Sequence, residues 1–234
     1  ADYAATKKSL DNLKASYAAL EKDSNDALEA NINKNRQLLA ELEAKQKALA
    51  AEQDRLNKLK KDLEASSARL AELEKMMADK EALMNKLKET LSKSLKAFEG
   101  KGLTVENRNG KVYVSMENKL LFESGSWTVG TEGKKAVKLV GDVLGQNPDI
   151  SVLIEGHTDN DKITGTIGGG VENNWDLSTK RATAIVNILS ANAKVKKENL
   201  TAAGRGEYAP LMSNETAEGK AKNRRIEIIL TPKL

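Results

Sequence analysis

Residues 150–159 read Ile150-Ser151-Val152-Leu153-Ile154-Glu155-Gly156-His157-Thr158-Asp159. The apolar run Ile150–Ile154 has the length and composition of a buried strand. Asn160–Glu172 is polar and glycine-rich and reads as a loop. From Asn173 to Ala191 the apolar period becomes helical, with Leu177, Ala184, Ile185, Ile188 and Leu189 on one face. Leu200–Ala203 then reads as a short strand. Strand, loop, helix and strand in that order predict a layered α/β domain.

The flanks agree. Leu103–Glu106 and Lys111–Met116 alternate apolar and polar residues around Asn107-Arg108-Asn109-Gly110, a hairpin signal with an Asn-Gly turn. Ala136, Val137, Leu139, Val140, Val143 and Leu144 have helical spacing, and Asn147-Pro148 stops that helix. After a polar stretch, Arg225–Leu230 closes the domain as a strand.

Residues 1–99 have another character. All 16 glycines lie at Gly100 or later, and the three prolines are Pro148, Pro210 and Pro232. Nothing before Gly100 obliges a helix to stop. From Leu42 one position repeats every seven residues as Leu42, Leu49, Leu56, Leu63, Leu70, Met77, Met84, Leu91 and Phe98. The position three residues later is apolar only in part, at Leu59, Leu73 and Leu87. A strict seven-residue seam stays in register only if helices supercoil. Leu10, Leu13, Tyr17, Leu20 and Ala27 hold an earlier seam, offset by a four-residue stutter near Ser24–Leu28. A continuous helix would measure roughly 135–145 Å at about 1.5 Å per residue. A parallel dimer or trimer fits this pattern best. An antiparallel hairpin breaking near Ser24–Asn35 or Ser66–Ser67, and a solvated single helix, are the other readings. The predicted class is α+β: a helical coiled-coil rod over 1–99, then a layered α/β domain over 100–234.

Composition excludes several functions. No run of about 18 apolar residues is present, so no helix of this sequence spans a membrane. The chain has no cysteine, hence no disulfide or thiolate site, and His157 is its one histidine. The net charge of +4 is weaker than a nucleic-acid footprint, and no nucleic-acid partner is expected. The chain opens at Ala1 rather than Met, so a processed or trimmed N-terminus is expected.

Five blocks carry a family resemblance. They are Leu121-Phe122-Glu123-Ser124-Gly125-Ser126, Ile154-Glu155-Gly156-His157-Thr158-Asp159, and Asn174-Trp175-Asp176-Leu177-Ser178-Thr179-Lys180-Arg181-Ala182. Gly204-Arg205-Gly206-Glu207 with Pro210 and Asn214, and Asn223-Arg224-Arg225-Ile226-Glu227, complete the set. In this order, residues of about 111–231 resemble the OmpA-like/MotB-like C-terminal domain, a peptidoglycan-binding module of bacterial envelopes. The helical first half lies outside the resemblance.

The resemblance implies a non-enzymatic domain that holds the diaminopimelate of the peptidoglycan stem without a covalent bond. It assigns the grip to Asp159 and Arg181, with Asn174 and Thr158 at the site, Leu177 supporting it, and Asn223 and Arg225 from the last block. The chemistry is consistent: a zwitterionic centre needs one fixed anion and one fixed guanidinium, and Arg can bind a carboxylate bidentately. The helix opening at Asn174 would add free N–H groups beside the carboxylate. The competing reading makes Asp159 and Arg181 a surface ion pair worth about 0–1 kcal/mol, and Asn174 a helix cap. The Asp161–Val171 loop is longer than in OmpA-type members and is closer to the MotB-like branch; it lies over the ligand or is plain surface.

Other readings are weaker. His157, Asp159 and Ser178 supply triad residue types, but Ser178 is on a helix opening and not on a nucleophile elbow. His157 and Asp159 are also expected to point different ways at the strand end, and His157 to be buried and hydrogen-bonded. No metal and no cofactor is expected. A stator subunit of the MotB kind would need a membrane helix that this chain does not show. The reading is an envelope tether: peptidoglycan at one end, homo-oligomerisation through the coil, and a membrane reached only through a segment not in this chain. The expected address is the periplasm of a Gram-negative bacterium, associated with the outer membrane.

Overall fold

The structure, a computed structural model, describes residues 2–123, 125–163 and 168–233. Its first element, α1, runs without interruption over Asp2–Leu95. The helix passes straight through Ser24–Asn35 and Ser66–Ser67, so the hairpin reading falls. The chain divides into two compact units, Ala1–Glu72 and Leu73–Leu234.

The described part of the first unit lies wholly within α1 and buries none of its side chains. Leu42, Leu49, Leu56, Leu63 and Leu70 are between 52% and 70% exposed. The seven-residue stripe is therefore presented, unpartnered, along this unit.

The second unit begins earlier than Gly100. Met84, Leu87, Leu91, Leu95 and Phe98 are buried in its core. Their spacing of three and four residues keeps them on one helical face, and burying each such side chain stabilises by about 1.5–3 kcal/mol. Hence Met84, Leu91 and Phe98, which continue the heptad seam, serve the domain and not a partner helix. Periodicity fixes which face is apolar; it does not name what covers that face. A single 3₁₀ turn, Lys96–Phe98, closes the helical region.

Strands β1 (Leu103–Arg108) and β2 (Lys111–Glu117) form the expected hairpin. Asn109 and Gly110 both have positive φ, 53° and 71°, as a two-residue primed turn requires. After a short helix, α2 (Asn118–Leu121), come α3 (Thr131–Gly145), β3 (Ile150–His157) and α4 (Asn174–Ser190). Then follow β4 (Leu200–Gly204), α5 (Ala217–Asn223) and β5 (Arg225–Pro232). The sheet order is β1-β2-β5-β3-β4, with β3 and β4 parallel and the other pairs antiparallel. The polar stretch before β5 hides α5, which lacks the apolar period that betrays a helix.

Alternation sorts the strands. Val112, Val114 and Met116, Val152 and Ile154, and Ile226, Ile228 and Leu230 join α3, α4 and the end of α1 in one core. Gly156 continues this face, and a Cβ there would stand 2.1 Å from the Ser178 carbonyl oxygen. At Gly204 a Cβ would stand 2.1 Å from Thr179 Oγ1. Two glycines thus let α4 lie directly on β3 and β4, which fixes the height of Arg181 above the sheet.

Candidate functional site

The site is built one step beyond the sheet. Glu117, at the end of β2, and His157, at the end of β3, both pair with Arg225, the first residue of β5. The residues just past this row are Asn118, Thr158 and Arg224, and the Asn118 N–H donates to the Arg224 carbonyl at 2.8 Å. With Asp159, Leu177 and Arg181 they line a cleft of about 720 Å³. Phe122 and Gly125 add a further wall of the cleft.

Arg181 projects from the second turn of α4 and is 4% exposed. Its Nε donates to the Ser126 carbonyl at 3.0 Å, and its guanidinium lies 5.3 Å from the Phe122 ring centroid. Among the described residues no carboxylate lies within 4.0 Å of it. Burial lowers its pKa to about 10; Asp159 acts in the opposite direction, and Arg224 adds to the depression. At neutral pH it is a buried cation held by a carbonyl and an aromatic face.

Asp159 is equally buried, at 5%. Its Oδ2 accepts from Arg224 Nη1, and Oδ1 lies 3.4 Å from the Asp161 N–H. Asp159 and Arg181 are thus neither on the surface nor paired with each other. Thr158 is buried beside them, and its Oγ1 has no hydrogen-bond partner among the described residues. A buried hydroxyl without a partner costs about 1–3 kcal/mol.

Asn174 also lines the cleft, but it is not the helix cap. Asn173 is, with its Oδ1 accepting from Trp175 and Asp176 at 2.9 and 3.1 Å. The Leu177 N–H is taken by the Asn173 carbonyl. The N–H groups of Trp175, Asp176 and Leu177 at this helix opening are therefore already engaged within the chain. Asn174 instead donates from Nδ2 to the carbonyls of Asp159 and Asp161 and to Glu207 Oε2, at 3.3, 3.1 and 2.6 Å. It ties the strand end to the loops on either side.

Two expected contacts lie elsewhere. Asn223 is fully buried. Its Oδ1 accepts from the Leu211 and Met212 N–H groups, and its Nδ2 donates to Met212 and Asn214. It clamps the loop before α5. Arg225 bonds Glu227 Oε1 at 2.9 Å and the carbonyls of Asn223 and Ala209. Neither lines the cleft. Arg224 does, together with Glu117 and Lys119. Alternation would have found Arg224: it shares parity with the inward Ile226 and Ile228, while Arg225 shares parity with Glu227.

Cations surround Glu117. Lys119 and Lys222 approach it at 2.8 and 2.6 Å. Burial alone would raise its pKa, and these two bonds outweigh burial and lower it. Asp161, Lys162 and Ile163, at the start of the long loop, line the cleft, and Lys220 bridges to Asp161 at 2.6 Å. Of that loop, residues 164–167 lie outside the described residues, as does Ser124 of the first sequence block.

His157 and Asp159 do diverge, although alternation is not the reason, because residues two apart on a strand share a face. β3 ends at His157 and the chain turns into the cleft. His157 stays on the opposite sheet face, where its ring and the carboxylates of Glu155 and Glu227 bring ligand atoms within 4.8 Å of one another. The ring is buried but lacks the expected hydrogen bond: neither nitrogen has a partner among the described residues, and Glu155 Oε2 stands 3.7 Å away. Burial, with Arg225 and Arg205, lowers its pKa to about 4, against the pull of Glu227. Arg225 already holds Glu227 and Arg108 stands 3.9 Å from it. These two arginines balance Glu227, which disfavours a divalent cation.

Ser178 hydrogen-bonds the Trp175 carbonyl at 3.0 Å and accepts from the Gly206 N–H at 3.1 Å. It is a packing residue between α4 and the β4 loop.

Residues 121–224 match the OmpA family. Motility protein B of Bacillus subtilis is 36% identical over 120 residues, 51% of this chain and 45% of that protein. Peptidoglycan-binding protein ArfA of Mycobacterium tuberculosis is 41% identical over 91 residues, 39% of this chain and 26% of that protein. The chain spans about half the length or less of these relatives. Among solved structures, the cell wall anchor of the T6SS from Pseudomonas aeruginosa superposes with a TM-score of 0.55 at 30% identity. That match covers 61% of this chain and 97% of the anchor. Apart from Glu117, Asn118 and Lys119, the cleft lining falls within the matched span: residues 121–224 of this chain are an OmpA-family domain.

Proposed function

We propose that this domain binds peptidoglycan without a covalent bond, holding the diaminopimelate of the stem peptide in the Asp159–Arg181 cleft. The observation that carries this reading is the buried Arg181 guanidinium, which meets no carboxylate among the described residues yet shares its cleft with a buried carboxylate. A zwitterionic amino-acid centre supplies the missing charges. Its carboxylate bonds Arg181 beside Thr158, and its ammonium bonds Asp159. The cation now on Asp159, Arg224, shares that carboxylate or moves to the ligand's carboxylate side. Two similar proteins, a peptidoglycan-binding protein and a cell wall anchor, support the wall as the ligand and the bacterial envelope as the address. The periplasm, on the outer-membrane side, is the part of that envelope we assign.

No reaction is assigned to the cleft. The exposed stripe Leu42–Leu70 is proposed to pair with further copies of the chain, so that the rod spaces wall-binding domains from an anchor. The similarity to motility protein B favours a second reading, a stator subunit of an ion-driven motor. Among the described residues no helix is long and apolar enough to cross a membrane, so that role requires a segment beyond this sequence.

Competition tests the ligand. Free diaminopimelate should release the chain from purified sacculi. Pimelate and cadaverine, each carrying one sign of charge, should not. Equal release by all three would show salt screening in place of recognition.

A further inference from the structure

Trp175 and Tyr208 are 48% and 66% exposed, and their rings stack at 5.2 Å between centroids with 23° between planes. Single exposed aromatics need no explanation. This pair is different because it is held in the open by the cleft's own backbone. Trp175 follows Asn174 at the start of α4, and Tyr208 follows Glu207, which Asn174 bonds at 2.6 Å. Between them, the Gly206 carbonyl accepts from the Thr158 N–H at 2.9 Å, and the Gly206 N–H donates to Ser178. Gly206 has φ +52°, and a Cβ there would lie 3.5 Å from both rings. The rings are thus seated on a pinned turn.

We propose that the Trp175–Tyr208 pair is a saccharide subsite, taking a pyranose ring of the glycan strand from which the stem peptide hangs. This rests on the cleft binding that stem. A pyranose presents a face of polarised C–H bonds, which packs on the electron-rich face of an aromatic ring. Aromatic side chains, with two χ angles each, provide that area at low entropic cost. Diaminopimelate is the third stem residue, so at roughly 3.3–3.6 Å per residue the sugar lies at most about 10–11 Å away. Trp175 follows cleft-lining Asn174 directly, about 3.8 Å along the backbone.

The test is calorimetric titration of the full chain with two probes from one wall digest: the stem peptide cut from its sugar, and the same peptide on its disaccharide. The wild-type chain should bind the disaccharide form about fivefold tighter or more, the low end of one base–aromatic stack. Trp175→Ala and Tyr208→Ala should abolish that difference and leave the bare-peptide Kd within about twofold. Asp159→Ala should lose both probes. Equal wild-type affinity for the two probes overturns the subsite and leaves the ring pair to a protein partner. Loss of both probes in Trp175→Ala and Tyr208→Ala alike overturns it in favour of a structural role. Wild-type binding to neither probe overturns the cleft reading itself, and the subsite with it.

Discussion

Arg224 Nη1 donates to Asp159 Oδ2, and both side chains line the cleft, while Arg181 stands in the same cleft without a carboxylate partner. Two guanidiniums therefore share one buried carboxylate unequally. The Asp159 side chain is 8% exposed and that of Arg224 38%, so their coupling lies between the surface and buried limits. A double-mutant cycle of Arg224→Ala and Asp159→Ala, read by urea denaturation, is expected to give about 1–2 kcal/mol. A coupling near zero would mean that the pair contributes nothing to stability.

Arg181 is held at a cost to the fold. The depression of its pKa to about 10, caused first by burial, corresponds to about 3 kcal/mol disfavouring the charged form in the folded protein. Arg181→Met removes that penalty and keeps most of the packing volume, but loses the bond to the Ser126 carbonyl, worth about 1.5–3 kcal/mol for a charged donor. The net expectation is a variant about 1 kcal/mol more stable in urea that no longer binds the wall, as at sites where function opposes stability. A less stable Met variant would show that the guanidinium is a structural strut.

Acid should weaken the domain through His157. Its folded pKa is about 4, below the ordinary 6.5, so between these values the unfolded chain holds a proton that the folded chain does not. Stability is then greatest above pH 6.5 and declines as pH falls towards 4, by up to about 3 kcal/mol. His157→Gln should flatten the urea midpoint across that window. Glu117, whose carboxyl is held below its ordinary range, loses its contribution only at lower pH and should leave its slope there. An unchanged profile in His157→Gln would assign the acid loss to carboxylates alone.

The rod should associate through its first unit. Leu49→Glu with Leu63→Glu places charges on the exposed stripe and is expected to convert an oligomer to a monomer in sedimentation equilibrium. Wall retention should fall about tenfold or more as multivalency is lost. A monomeric wild-type chain would leave the stripe to a different protein.

Much of the fold was legible because local signals were strong. Asn109-Gly110 sets the hairpin, Asn147-Pro148 ends α3, and the run from Ile150 marks the central strand. Asp159, Arg181, Asn174, Thr158 and Leu177 were legible as cleft residues through the family blocks, and all five line it. Arg224 was missed because two adjacent arginines look alike until strand parity separates them. Asn173 was missed as the cap because two adjacent asparagines offer the same side chain. The burial of Met84, Leu91 and Phe98 was illegible for a deeper reason: a heptad stripe is equally satisfied by a partner helix or by a sheet-based core.

The most direct measurement is co-sedimentation with purified sacculi of the wild-type chain, Asp159→Ala and Arg181→Met, each first shown by circular dichroism to be folded. The cleft account predicts that the wild type pellets and both variants stay in the supernatant. Pelleting of all three alike would contradict it and move the wall contact away from these two residues.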